Sequence, residues 1–531
     1  MLDRLIVNAN VYTLDDNAPR ARCIAIFRDR IVALGGDELK ALADKRTRID
    51  DLHGAMVLPG LIDAHIHWEG TALSLDQVDL FDVPSKEEAL QRIAAGMKNG
   101  EKRGGWLLGR GWAQAMWASG EFPTAADLDP ITGETPTLLT ARSGHAVWIN
   151  SAGLRAAGIT ASTADPEGGV IQRDVVGEPT GILFEDAIPL AARLIPDPST
   201  AELASAMERA QRLAWASGLT GLHDYDQPSA FAAMQLLLEQ GRLGLRIVKN
   251  INDPYIKHAH GLGLRSGFGN DWLRIGGLKI FADGALGTKT ALMIDPYDGE
   301  PENRGVLVTD SETMYELVSE ASRNGIASTI HAIGDKAVHD VLNVFEAVRK
   351  EEQESGVHPA ERRHRIEHVQ LIHPDDVSRL GALDVIASMQ PIHATADYQM
   401  SDRYWGKRSA FGYNPRLQID AGAVVAFGSD SPVEPFDPLK GIHAAATRRR
   451  ADGSPNAEGW YPAAKVSMDE AIKGFTHGAA YAGGMEDRVG KLAPDYLADL
   501  VVLDQDLYAI APEDILKTKS ARHDGRRCVA V

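Results

Sequence analysis

The stretch Val57–Gly70, VLPGLIDAHIHWEG, follows Pro59 and Gly60 with an apolar segment that ends in two histidines one residue apart. Side chains alternate faces along an extended strand, so His65 and His67 point the same way, close enough to grip one ion or one anion. Two exposed polar residues on a strand face would look the same. The meaning of the pair therefore depends on what the rest of the chain brings beside it.

Downstream, short apolar stretches ending in polar residues alternate with helical patterns such as AELASAMERAQRLAWASG and SETMYELVSEASRNG. This is the rhythm of a parallel sheet or barrel. Eight candidate strands can be read: AMVLPGLIDAHIH, LTGLHDYD, LRIVKNIND, RIGGLKIFADG, IASTIHAIGD, HRIEHVQ, DVIASMQPIH and GAVVAFGSD. Eight such units suit an α/β fold of the (β/α)8 TIM-like type, with its site at the C-terminal ends of the strands. Residues from about 69 to 198, between the first and second strands, are too many for a βα connection and carry strand-like pieces of their own, GGWLLGRGW and TPTLLTARSGHAVWIN. They read as an inserted cap. Both ends of the chain are β-rich, LIVNANVYTL and ARCIAIFRDRIVALGG at one end, YLADLVVLDQDLYAI and GRRCVAV at the other. The expected organisation is a small β-sandwich from residues 1–57 and 488–531 bracketing a barrel over 58–487.

Composition narrows the function. A formal charge of −19 opposes binding to nucleic acid or anionic lipid, and the basic run Arg448–Arg450 reads as a solvated helix face. No apolar run approaches a membrane span, and the N-terminus lacks the pattern of a signal peptide, so a cytoplasmic location is expected. Cys23 and Cys528 belong to no metal or redox motif and are expected to be buried free thiols.

The strands end on residues that hold metals or move protons: His65 and His67 on the first, Lys279 on the fourth, His331 on the fifth, His368 on the sixth and Asp430 on the eighth. All would converge on one rim of the barrel. Imidazole and carboxylate are the donors that zinc and related divalent ions take, and a catalytic site keeps one position open for water.

PGLIDAHIH, STIHAIGD, RIEHVQ and FGSDSPV, with GGLKIFADGALGTKTA around Lys279 and RSGHAVWINSAGL in the insertion, resemble the amidohydrolase superfamily of metal-dependent hydrolases. The likeness is to the branch of YtcJ-like proteins and N-substituted formamide deformylases, amidohydrolase family 3, and spans nearly the whole chain. It implies that His65, His67 and Asp430 bind one metal and that His331 and His368 bind a second. It also implies that Lys279, carboxylated by carbon dioxide, bridges the two. An ammonium beside a dication is repelled, whereas a carbamate is an anionic oxygen ligand, so Lys279 is either modified, turned away, or paired with nearby Asp283.

Two ions roughly 3.5–4 Å apart, probed first as zinc, would hold a hydroxide at neutral pH. Asp430 would take its proton during attack on a carbonyl and pass it to the leaving nitrogen. Ser429 and Ser431 sit in no nucleophile elbow and are expected to make local hydrogen bonds. His145 and His393 are candidate catalytic histidines that could donate to a developing oxyanion. Glu185, His223 and Asp224 are weaker candidates for the pocket. Trp112 and Trp117 would supply an aromatic wall. The expected activity is hydrolysis of a non-peptide carbon–nitrogen bond in a small amide, N-formyl or N-acyl amine, with a homodimer as the candidate assembly. A mononuclear deaminase, an ester, lactone or carbamate hydrolase, and an inactive barrel with a binding role are the alternatives. A deaminase of this type needs a strand-five His-x-x-Glu acid, and Gly334 stands at that place.

Overall fold

The structure, a computed structural model, describes residues 2–99, 102–114, 117–118, 120–142 and 144–520. Cys528 and the expected strand GRRCVAV lie outside the described residues. The chain forms two compact units, one of Met1–Trp68 with Gln211–Val531 and one of Glu69–Ala210.

The first unit contains an eight-stranded, all-parallel sheet that runs in chain order: Leu61–Ile66, Leu219–Asp224, Arg246–Asn252, Leu273–Phe281, Ser328–Ala332, Arg365–His368, Ile386–Met389 and Val425–Phe427. The last strand returns to the first. The Asp430 N–H donates to His65 O at 2.7 Å and the His67 N–H to Ser431 O at 2.8 Å, which closes the barrel at the level of the histidines. Gly428 permits that approach, since a Cβ there would lie 2.4 Å from His65 N. Helices cover the outside; Asp335–Glu354 buries Val338, Val341, Leu342, Phe345 and Val348, the i, i+3, i+4 stripe of a helix laid on a sheet.

The expected first strand is two strands. Met56–Pro59 pairs with Asn10–Tyr12 and with Leu500–Leu503 in a terminal sheet, and Leu61–Ile66 begins the barrel. Gly60 is the joint, where a Cβ would meet the Thr220 side chain at 2.3 Å. A second terminal sheet, ordered Arg30–Gly35, Cys23–Phe27, Arg4–Val7 and Arg48–Asp51, shares with the first a core of Ile6, Val11, Ile24, Ile31, Val57, Leu500 and Val502. Cys23 is buried and free. Arg448 corrects the solvated-face reading of its basic run: it is 1% exposed and donates to the carbonyls of Tyr413 and Trp460, because the chain turns through the left-handed region there and folds back over it.

The second unit is built on a six-stranded mixed sheet, ordered Gly169–Arg173, Pro179–Glu185, Ala146–Ile149, Thr137–Ala141, Leu107–Trp112 and Val78–Asp79. No helix of the described residues is long and apolar enough to cross a membrane.

Candidate metal centre

The parallel strands deliver their C-terminal residues to one rim, and backbone strain sharpens the aim. His368 has φ 77° and Asp430 φ 59°, both in the left-handed region that non-glycine residues enter at a cost of roughly 1–3 kcal/mol. Strict alternation would send Glu367 and His368 to opposite faces. Instead both reach His65: Glu367 Oε2 lies 2.6 Å from its Nδ1, and the His368 ring lies 4.8 Å from its ring.

Asp430 is the hub. Its Oδ1 lies 3.6 Å from His65 Nε2 and 3.5 Å from His67 Nε2, and its Oδ2 lies 3.3 Å from His393 Nε2. Two sets of donor atoms each fall within 4.8 Å of one another, His65 with His67 and Asp430, and His368 with His393 and Asp430. His331 stands beside the second set, its ring 4.7 Å from that of His368.

Partners behind the rings assign the free nitrogens. Carboxylate and carbonyl oxygens only accept, so Nδ1 of His65 donates to Glu367, Nδ1 of His67 to Asp226 at 3.1 Å, and Nδ1 of His368 to Gln390 Oε1 at 2.8 Å. In these three rings Nε2 is left to face the centre. His331 is reversed, with Nε2 donating to Gly284 O at 2.9 Å and Nδ1 left free. Burial pushes His65 down to about 4, so it is neutral near pH 7 and its Nε2 lone pair faces the Asp430 carboxylate. A lone pair opposite an anion at 3.6 Å is repulsive unless a cation lies between them. On that test the residues fit a divalent ion. His393 differs: burial opposes its charge, but the hydrogen bond to Asp430 outweighs this and pushes it up to about 9.

Lys279 is 2% exposed, with Nζ 4.8 Å from the Tyr225 ring centre and 4.6 Å from that of Phe281. Burial lowers its pKa to about 8. The pairing with Asp283 does not occur. Asp283 accepts the N–H groups of Leu292, Ile333 and Gly334, which ties down the loop after the fourth strand.

Other candidates have partners of their own within their units. His223 is buried against Arg365, and Asp224 accepts the Trp68 N–H and pairs with Lys249 at 2.8 Å. His145 belongs to the second unit, its Nδ1 3.0 Å from Glu185 Oε2. Trp112 and Trp117 form no wall. They are 0% and 4% exposed in that unit's own core, their indole N–H groups bonded to Leu139 O and Val83 O, because the strand that looked like a lining is interior.

Asp63, Tyr225, Asp226, Glu367 and Gln390 were not singled out as site residues. Glu367 and Gln390 lie within three residues of a histidine in RIEH and QPIH, the available signal. Asp63 accepts the N–H groups of His65 and Ser429, at 3.1 and 3.0 Å, and thereby pins the first and last barrel segments together.

A (β/α)8 barrel with this cluster at its C-terminal rim defines the class of metal-dependent hydrolases. Residues 48–531 match the amidohydrolase family. The putative amidohydrolase YtcJ of Bacillus subtilis is 32% identical over 516 residues, 95% of each chain. The N-substituted formamide deformylase of Arthrobacter pascens is 29% identical over 95% of this chain and 94% of its own. The crystal structure of an uncharacterized metal-dependent hydrolase from Pyrococcus furiosus superposes with a TM-score of 0.77, at 28% identity, over 95% of this chain and 99% of that one. The chain belongs to the amidohydrolase family.

Proposed function

We propose that this chain hydrolyses the carbon–nitrogen bond of a small amide, an N-formyl or N-acyl amine, at a centre of two divalent ions. The observation that carries the reading is the His65 Nε2 lone pair set against the Asp430 carboxylate across 3.6 Å. His65, His67 and Asp430 would hold one ion. His368 and His331, the latter through Nδ1, would hold the other. Zinc suits these donors. When bound, such ions polarise a carbonyl as Lewis acids and acidify water.

Lys279 supports the pair. Its pKa of about 8 and the lack of a carboxylate within ion-pair reach among the described residues keep part of it as a neutral amine, the form that adds to carbon dioxide. The resulting carbamate, one negative charge shared over two oxygens, would make Lys279 an anionic oxygen ligand in place of a cation. Asp430 would take the proton of the attacking water and return it to the departing nitrogen. His393, protonated at 3.3 Å from Asp430 Oδ2, would steady that carboxylate and offer an N–H to negative charge developing on the carbonyl oxygen.

The deaminase reading meets a steric bar. A Cβ on residue 334 would lie 2.0 Å from Leu292 O, so the position of the required acid has no room for any side chain. The test is elemental analysis joined to a screen of N-formyl and N-acyl amines, with metal-stripped protein as control. About two ions per chain and metal-dependent amide hydrolysis are expected. Full activity with one ion would favour a mononuclear centre, and activity on esters or lactones alone would replace the amide assignment.

A further inference from the structure

Phe281 ends the fourth barrel strand, two residues beyond Lys279. Alternation aims both side chains at the barrel axis, with Phe281 one layer nearer the mouth. The distances agree: its ring centre is 4.6 Å from Lys279 Nζ and 5.1 Å from the His331 ring. Although its neighbours are buried, Phe281 is 43% exposed. The chain then returns beside it. The Val308 N–H donates to Ala282 O at 3.0 Å and Leu307 bridges Asp283, so Val306, Leu307 and Val308, each about half exposed, run antiparallel to the end of the strand. Polar, charged groups occupy the floor of the mouth and an apolar edge stands above them. That is the composition of a site that orients a polar reacting group and packs an apolar remainder.

We propose that Phe281 is a substrate-contacting residue that selects amides carrying an apolar, and above all an aromatic, substituent. The inference rests on the hydrolase reading above and names its substrate class. A carbonyl reacting beside His331 and Lys279 would lie within one side-chain length of the Phe281 ring, so a substituent on it is within reach of that exposed face. A ring laid on Phe281 gains an aromatic contact that a methyl group cannot make. A protein partner seated there would instead obstruct the centre. The aromatic surface expected of Trp112 and Trp117 is thus supplied from the barrel rim.

The test compares metal-loaded wild type, Phe281→Ala and Phe281→Leu for binding of acetohydroxamate and phenylacetohydroxamate by calorimetry, beside metal content and circular dichroism. Wild type should prefer the aromatic compound by about tenfold, Phe281→Ala should weaken the aromatic compound far more than the methyl compound and bring the two near parity, and Phe281→Leu should keep part of the preference. No preference in wild type, equal loss for both compounds, or no binding of either would overturn the proposal. So would a substitution that changes only the oligomeric state in sedimentation, which would give the patch to a second copy of the chain. If the preference and its loss are found but no amide is hydrolysed, the activity assignment fails and the apolar subsite stands. Amide hydrolysis without the preference would mean the reverse.

Discussion

Glutamine in place of Glu367 separates the group that holds His65 from the groups that hold the fold. The carboxylate is fully buried and accepts from His65 Nδ1 at 2.6 Å, from the Tyr225 hydroxyl at 2.9 Å, and from Arg365 through Nε and, at 3.2 Å, through Nη2. Burial alone would raise its pKa, but the Arg365 charge and the His65 hydrogen bond hold it well below the ordinary carboxylate range. An amide of the same shape keeps one acceptor oxygen and turns the other into a donor, so two of these four hydrogen bonds lose their acceptor, one of them from Arg365 and the other from His65 or Tyr225, at about 1–3 kcal/mol for each group left unpaired. Arg365, 2% exposed, also loses its ion-pair partner, and breaking a buried pair costs about 3–5 kcal/mol. The two costs overlap, so a loss of about 3–5 kcal/mol is expected, a large share of a typical stability of about 5–15 kcal/mol.

If the amide oxygen turns to Arg365, its NH2 faces His65 Nδ1 and drives the hydrogen to Nε2, the atom aimed at the centre. Metal affinity should then fall about 10–100-fold. Chelator-competition titration measures the affinity, nitrogen NMR of the histidines reads the tautomer, and melting with and without metal gives the stability. Unchanged affinity and unchanged melting would refute the reasoning. Lower stability with the His65 tautomer and the affinity intact would restrict Glu367 to the core.

Lys279→Ala should lose bound metal and most activity, and a short carboxylate added in solution should restore part of it; unaltered metal content and activity would remove Lys279 from the centre. Asp430→Asn should keep the fold and lower kcat by at least about 10²–10⁴-fold, more on amides than on activated esters, since only the amide nitrogen must be protonated to leave. Equal loss on both substrate types with metal intact would assign the proton transfer to another group, His145 or His393. Glu352 tests the packing remote from the site. Burial raises it, but hydrogen bonds from His364 at 2.9 Å and from Ser322, with the Arg349 charge, hold it at about 2. A carboxyl with a depressed folded pKa contributes stability that is fully present above its unfolded value, about 4.3, and is lost as the pH falls towards 2. Glu352→Gln should therefore melt lower than wild type at pH 7 and approach it near pH 3; a constant gap between the two melting curves over that range would show that the charge is not the source.

The barrel was legible because its strands are short apolar runs followed within a few residues by polar ones, and the structure sets the eight side by side in chain order. His65, His67, His331, His368 and Asp430 could be selected for the same reason, since a parallel barrel sends every strand end to one rim and the topology converts sequence position into proximity. Proximity is as far as that rule reaches. Nothing in RIEH states that a left-handed φ at His368 lets Glu367 and His368 both turn to His65, nor that Gly334 is excluded from bearing an acid by a carbonyl forty-two residues earlier in the chain, Leu292 O. The tryptophans of the insertion failed as a predicted wall because an aromatic residue reads the same in the sequence whether its face meets a cavity or, as at Trp112 and Trp117, a core. The sequence by itself determined the fold class and that strand ends, His65, His67, His331, His368 and Asp430 among them, share one rim, because these follow from local periodicity. Which nitrogen of each histidine is free, what holds it, and that the exposed ring at the mouth is Phe281 were decided only in the tertiary structure, because the hydrogen-bond partners lie from 22 to 302 positions away on other elements.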